Sequence, residues 1–258
     1  MGGPGGGEAV RTPRLFVPAS QWEGREAAWI MGPDARYLIR VLRLGPGAEV
    51  LLLDGTGRVF RSEIREAGRE LVRVVVTGAA ELPAEPGLRV TLVQALAKGD
   101  RFDTVVQKAT ELGVARIIPV NSERVVVRLT SDKADRRRER WQRIATEAAE
   151  QCRRPQVPAV DPVIDFSEAL GLVPKDALSL FFWEEERRVA LKDVLRSRPP
   201  ADEVLVFIGP EGGFTGQEAA AAADRTTVSV SLGPRLLRTD TAGPVAVALV
   251  LYEWGDLG

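Results

Sequence analysis

The sequence predicts an α/β protein in two parts, a small N-terminal β domain followed by a domain built on a parallel sheet. Three observations carry that expectation. Residues 47–77 read as short alternating strands joined by hairpin turns, residues 88–237 alternate apolar strands with helical stretches, and the Pro- and Gly-rich ELPAEPG (81–87) lies between them as a linker.

Taken in chain order, Met1 to Gly7 is Gly-rich and lacks an apolar core, so residues 1–12 are expected to be a disordered tail rather than a signal or transit peptide. Within residues 13–80 the runs AEVLLLD, GRVFRSEI and ELVRVVV are separated by Asp54-Gly55-Thr56-Gly57 and Ala67-Gly68-Arg69. Turns of that composition close hairpins because glycine reaches the backbone angles a tight turn demands. The spacing predicts a small antiparallel barrel or sandwich, with a short helix near Asp34–Leu42.

Residues 88–258 form the second expected domain. LRVTLVQALA (88–97) reads as a strand, Arg101–Leu112 as a helix stopped by Gly113, and ARIIPV (115–120) as a second strand. A long basic helix is expected over about Ser131–Cys152, capped by Ser131 or Thr130. ALSLFFWEE, VLVFIGPEGGF and TVSVSLGPRLL then each run from an apolar strand into a loop, and an apolar helix spans Thr241–Trp254. Strands without polar alternation are buried on both faces, which is the mark of a parallel sheet covered by helices. Ligands in such sheets sit beyond the carboxyl ends of the strands, so the loops at 184–187, 209–214 and 233–238 are the expected site.

Composition narrows the chemistry. The chain has 258 residues, 45% hydrophobic and 28% charged, which is ordinary for a globular protein. No stretch approaches the roughly 18 apolar residues of a membrane span. Cys152 is the single cysteine, which suits a reducing cytoplasm and leaves neither a disulfide nor a structural zinc set. With no histidine, the Ser-His and Cys-His pairs and most catalytic zinc sites are excluded, and no metal is expected. Net charge is −1, yet residues 98–154 hold fourteen Lys or Arg against nine Asp or Glu, while residues 155–258 hold nine against sixteen. A basic surface can therefore coexist with an acidic average.

Gly209-Pro210-Glu211-Gly212-Gly213-Phe214 follows the strand VLVFI, but it is no phosphate cradle: Pro210 has no N–H to donate and Glu211 would repel a pyrophosphate. Such a loop suits an uncharged nucleoside or a sulfonium cation; the same glycines also serve a loop that only turns the chain into the next helix. Leu232-Gly233-Pro234-Arg235-Leu236-Leu237-Arg238-Thr239-Asp240-Thr241-Ala242 is the second distinctive segment. Its leucines can wall an adenine ring or plug the core, and Thr239 or Asp240 can cap the helix that follows.

These two segments, together with KGDRFDTVVQKATELGV (98–114) and ERWQRIATEAAEQCRRPQVP (139–158), resemble the RsmE family, small-subunit ribosomal RNA methyltransferases acting on uridine N3 within the SPOUT superfamily. The resemblance covers about residues 14–254, including RLFV at the start and RYLIRVLRL (36–44); the chain departs from the family's usual pattern in the 34–38 region, at Asp240 and at Cys152-Arg153. It implies a PUA-like N-terminal RNA-binding domain, a SPOUT domain with a C-terminal trefoil knot, a cytoplasmic homodimer, and S-adenosylmethionine (SAM) as cofactor. The cofactor is then expected against Glu184; against Ile208, Gly209, Glu211, Gly212 and Gly213; and against Leu232, Gly233, Leu236, Leu237, Arg238 and Ala242. The substrate it implies is ribosomal RNA or the small ribosomal subunit.

For N3 methylation without histidine, Arg238 or Arg235 is expected to stabilise the uracil anion, and a carboxylate or water to take the proton, with Glu211, Glu184 and Asp240 as candidates. RNA contacts are expected from Arg14, Arg36, Arg40, Arg43, Lys98, Arg153 and Arg154, and from Arg136, Arg137 and Arg138 on the basic helix, each of which equally suits a solvated surface charge. Another SPOUT methyltransferase, a non-catalytic RNA-binding or ribosome-assembly factor, and a nucleotide-binding oxidoreductase are the competing readings; the last lacks the dinucleotide glycine fingerprint.

Overall fold

The computed structural model describes residues 12–80, 85, 87–125 and 131–257. Residues 1–11 of the expected tail and most of the linker lie outside them, as does Thr130, one of the two expected caps of the basic helix; the side chain of Ser131, the other, is not described either. The chain divides into two compact units, residues 1–84 with 154–156, and residues 85–153 with 157–258. Residues 154–156 join the first unit, where Thr56 pairs with Gln156 in an isolated bridge.

The first unit contains β1 (Arg14–Phe16), β2 (Trp22–Glu23), β3 (Ala27–Met31), α1 (Gly32–Arg36), β4 (Glu49–Leu53), β5 (Val59–Ala67) and β6 (Leu71–Ala80). They form one sheet in the order β1-β4-β5-β6-β3-β2. All pairs are antiparallel except β1 with β4, and no pair closes β1 onto β2 among the described residues, so the sheet is a PUA-like half-barrel rather than a closed one. Its inner face carries the alternating residues Leu15, Leu52 and Ile64, packed against Leu38. The expected helix at 34–42 is α1 running into a π turn over Tyr37–Val41.

The second unit holds a parallel sheet in the order β10-β8-β7-β12-β11-β13, with β9 beside β8. Its elements are β7 (Arg89–Ala95), α2 (Arg101–Leu112), β8 (Arg116–Asn121), α3 (Ser131–Cys152), β9 (Ala159–Val160), β10 (Ile164–Asp165), α4 (Phe166–Gly171), β11 (Leu178–Phe182), α5 (Leu191–Arg196), β12 (Glu203–Ile208), α6 (Gly216–Ala223), β13 (Val228–Val230) and α7 (Thr239–Trp254). The middle strands β7 and β12 are adjacent, Arg89 opposite Glu203, and their side chains are buried along almost the whole length.

Helix α2 shows how local sequence sets these elements. Phe102, Val105, Val106 and Ala109 recur at helical spacing and are buried. Gly113, at φ 107°, then ends it: its N–H bonds Thr110 O at 3.1 Å and Val114 N–H bonds Ala109 O at 3.0 Å. Asp103 in its first turn accepts the indole N–H of the fully buried Trp141 at 3.0 Å and pairs with Arg140, locking α2 to α3. Four phenylalanines form the aromatic heart of the unit: Phe166 packs on Phe181, Phe207 and Phe214, and Phe181 stacks on Phe214 at 4.5 Å between ring centroids. Among the described residues, no helix is long and apolar enough to cross a membrane.

Candidate active site

β11, β12 and β13 end side by side, and the loops leaving their carboxyl ends enclose a cavity of about 830 Å³ within the second unit. That volume suits a cofactor-sized ligand. The loop after β12 is held at both ends. Phe214 inserts into the aromatic cluster with 2% exposure, and the Gly213 N–H closes a turn onto Pro210 O at 2.9 Å. Gly213 stands at φ +67° directly beneath the Glu184 carboxylate, where a β-carbon would collide with both carboxylate oxygens. The backbone conformation favours glycine, and a β-carbon there would oblige the Glu184 carboxylate to swing aside.

The loop after β11 is stitched to the loop after β13. Trp183 N–H bonds Val230 O, Ser231 N–H bonds Val189 O at 2.8 Å, and Leu191 N–H bonds Ser231 O. Glu186 folds back to accept the Arg188 and Val189 N–H groups. The third loop reaches α7 through Arg238, whose backbone, not a side chain, caps the helix. Neither expected cap acts as one. Asp240 lies in the first turn with one carboxylate oxygen buried and unpartnered among the described residues, while the Thr239 hydroxyl donates to Gly209 O at 2.6 Å and accepts from Gln94 Nε2 at 2.9 Å.

Of the residues expected around the cofactor, Glu184, Ile208, Gly209, Gly213, Leu232, Gly233, Leu236, Leu237 and Ala242 line the cavity, as does Arg235. Leu236 is 83% exposed and sits at the mouth rather than in the core. Glu211, Gly212, Arg238 and Asp240 lie outside the lining. Gly212 is placed by Arg124, whose guanidinium donates to Gly212 O at 2.9 Å. Glu211 faces away from the cavity walls: one oxygen accepts the Lys98 backbone N–H at 3.0 Å and the Arg101 guanidinium at 3.1 Å. Burial works against its ionisation most strongly, but the Lys98 and Glu211 backbone N–H groups and the positive charges of Arg101 and Lys98 together hold its carboxyl below the usual range. A carboxylate held this way clamps the turn at Lys98 and Arg101 to the glycine loop, and a depressed carboxyl is a weaker base than a free one.

Arg187, inside the expected loop 184–187, lines the cavity too, and sequence reasoning passed over Phe182, Trp183, Arg188, Ser231 and Thr239 as lining residues. Each of these five flanks an expected loop, and Trp183 immediately follows the apolar run of β11. The walls combine the acidic Glu184–Glu186 with Arg187, Arg188 and Arg235, and apolar surface from Ile208, Leu232 and Leu237. No group of three or more acidic or cysteine side chains able to hold a metal occurs among the described residues.

The expected RNA contacts fall differently. Arg36, Arg40, Arg43, Lys98 and Arg153 are exposed, and Arg14 is half-buried. Arg154 is buried, so its guanidinium is not presented to a phosphate on the surface of the chain. On α3, Arg136 is exposed and Arg137 half-buried, while exposed Arg138 donates to Val160 O at 3.1 Å.

Comparison with known proteins gives this geometry its relatives. An RNA methyltransferase domain matches residues 84–251, and an RNA methyltransferase PUA domain matches residues 30–77. Ribosomal RNA small subunit methyltransferase E of Bacillus subtilis is 31% identical over 246 residues, 93% of this chain and 96% of that protein. The crystal structure of ribosomal RNA small subunit methyltransferase E from Neisseria gonorrhoeae bound to SAM is 34% identical, covers 96% of this chain and 100% of its own, and superposes with a TM-score of 0.84. A Legionella pneumophila methyltransferase in complex with SAM is 31% identical, with 96% and 100% coverage and a TM-score of 0.83. By domain content, full-length likeness and fold, the chain belongs to the RsmE family of RNA methyltransferases.

Proposed function

We propose that this chain is a SAM-dependent methyltransferase that methylates N3 of a uridine in small-subunit ribosomal RNA. The observation that carries the reading is the cavity formed by the three carboxyl-end loops, in a chain similar over nearly its whole length to proteins solved with SAM. The residues present fit that cofactor. Glu184–Glu186 offer negative charge to a sulfonium and an ammonium, Arg187, Arg188 and Arg235 offer forks to a carboxylate, and Ile208, Leu232, Leu237 and Ala242 offer an apolar wall to adenine.

Bound SAM supplies an electrophilic methyl group; the rest of the work falls to this chain. Attack by uracil N3 requires loss of its imino proton, and the negative charge that develops needs a cation held in place beforehand. Arg235 and Arg238, flanking the mouth leucine Leu236, are the cations for that role. With no histidine in the chain, proton removal falls to Glu184, Asp240 or water, since Glu211 is committed to Lys98 and Arg101.

The same reading takes the C-terminal region as a trefoil knot and the working form as a cytoplasmic homodimer. The exposed side of α7, with Leu249 at 42% and Tyr252 at 64% exposure, supports a subunit contact, because soluble chains seldom leave a stripe of large apolar groups bare. The test is transfer of labelled methyl from SAM to unmodified small-subunit RNA and to assembled subunits, with the product mapped by mass spectrometry. Label found on N3 of one uridine supports the reading. Label on another atom or base, or none, defeats it.

A further inference from the structure

Gln94 is wholly buried near the carboxyl end of β7, in a strand whose neighbouring positions Leu92, Val93 and Ala95 are buried and apolar. Its Nε2 donates to Thr239 Oγ1 at 2.9 Å, and Thr239 Oγ1 donates to Gly209 O at 2.6 Å. A hydroxyl has one proton, so giving it to Gly209 O obliges Thr239 to receive from Gln94, and the amide orientation follows. Gln94 Oε1 is left without a partner among the described residues and lies over α7, where a β-carbon on Gly243 would come within 2.5 Å of it. Gly209 and Thr239 line the cavity; Gln94 does not.

A buried amide with a bare oxygen is a poor choice for holding a core together, since an apolar side chain of the same size would carry no unsatisfied group. Its use lies in direction. The relay joins three segments far apart in sequence, β7, the loop after β12 and the first turn of α7, and fixes where one carbonyl of the glycine loop points. From this we infer that Gln94 is a positioning residue for SAM, acting through Thr239 to hold the Gly209 segment in its ligand-ready conformation. The inference rests on the SAM-binding reading above.

Three kinds of variant, each read by calorimetric SAM affinity and by thermal unfolding, test it. Thr239→Val removes the hydroxyl at constant shape and is expected to weaken SAM binding about tenfold, whereas Thr239→Ser restores it to within about twofold. Gln94→Met fills the same space without polar atoms; it is expected to keep or raise the unfolding midpoint while weakening SAM binding about tenfold, with the KM for SAM raised and kcat at saturating SAM largely kept. Gln94→Glu makes the relay titrate: the protonated carboxyl can donate to Thr239 and the ionised one cannot, so affinity should fall as pH rises, where the wild type shows no such step. Thr239→Val and Gln94→Met proteins that bind SAM as tightly as wild type, with only the unfolding midpoint lowered, would reduce the relay to a structural bond and overturn the inference. A folded wild type that takes up no SAM overturns the cofactor reading itself and the inference with it.

Discussion

The carboxylate of Glu211 accepts the backbone N–H of Lys98 at 3.0 Å, tying the turn after β7 to the glycine loop after β12. Arg101 closes the same clamp at 3.1 Å. Glu211→Gln keeps an acceptor for both donors, so it should retain most methyl transfer, while Glu211→Ala should cost about 1 kcal/mol of stability, discounted for its partial exposure. Because the folded carboxyl is held below its ordinary value, its contribution is present above the unfolded pKa of about 4.3 and is lost as pH falls through the lower folded value. Unfolding midpoints of wild type and Glu211→Ala measured from neutral pH downward should therefore converge in acid. Turnover abolished by the Gln variant would return Glu211 to the role of base.

Gly213→Ala should cripple the cavity. The residue stands at φ +67° and its new methyl group would meet the Glu184 carboxylate, so either the loop or Glu184 must move. SAM affinity is expected to fall at least about tenfold. Gly216→Ala, at the start of α6 with nothing within 4 Å of its β-carbon, should bind SAM as wild type does. Equal affinities for the two variants would show the glycine loop to be indifferent to the ligand.

Glu218 is 8% exposed and serves two segments. One oxygen accepts the Thr215 N–H at 2.8 Å in a capping box, and the other accepts the Glu123 N–H at 2.9 Å. Glu218→Ala removes both and leaves two donors poorly satisfied, which should cost about 1–3 kcal/mol and lower the unfolding midpoint by roughly 2–4 °C per kcal/mol. Differential scanning calorimetry measures it; a midpoint within about 1 °C of wild type, below that rough range, would mean that water replaces the carboxylate.

Arg238 lies outside the cavity lining while Arg235 lies within it. Arg238→Ala is therefore expected to leave SAM affinity nearly unchanged and to reduce kcat on the order of 10²-fold, the scale of removing one charge-stabilising donor. Arg235→Ala is expected to lower both. Full turnover by Arg238→Ala with an unaltered pH profile would remove that residue from the chemistry.

Arg36 and Arg40 are exposed on the helical segment of the first unit and Arg43 is exposed two residues beyond its end, and Arg36 is engaged by Glu70 at 3.3 Å. Replacing Arg40 and Arg43 by Ala should make RNA binding less salt-dependent, by roughly 0.7–0.9 in the log–log slope for each phosphate that is no longer neutralised. Affinity measured across a salt series reads this directly, and an unchanged slope would leave both as solvated surface charges.

Much of the second unit was legible in the residues because its elements are long or strongly apolar. The expected helix over Arg101–Leu112 with its Gly113 stop, and the long helix over Ser131–Cys152, coincide with α2 and α3. Short elements were not legible: β9 and β10 have two residues each and α4 and α5 six, too few for a period to stand out. The parallel pairing of β1 with β4 escaped for a different reason, since strand partners distant in sequence leave no local mark. At the site, the three loops could be placed from the strand ends, but the facing of each side chain could not. Glu211 follows the cavity residues Gly209 and Pro210 directly in sequence, and only the neighbouring turn at Lys98 and Arg101 shows where its carboxylate goes.

The adjacency of β7 and β12 also constrains how the molecule is made. Arg89 and Glu203 are paired neighbours 114 positions apart, so during synthesis the β7 edge waits bare until the far partner has emerged. At a translation rate of about 5–20 residues per second, that delay is roughly 6–23 s. A nascent chain stalled before residue 203 should therefore keep the second unit sensitive to protease and dependent on holding chaperones, while the locally paired strands β3 to β6 become resistant early.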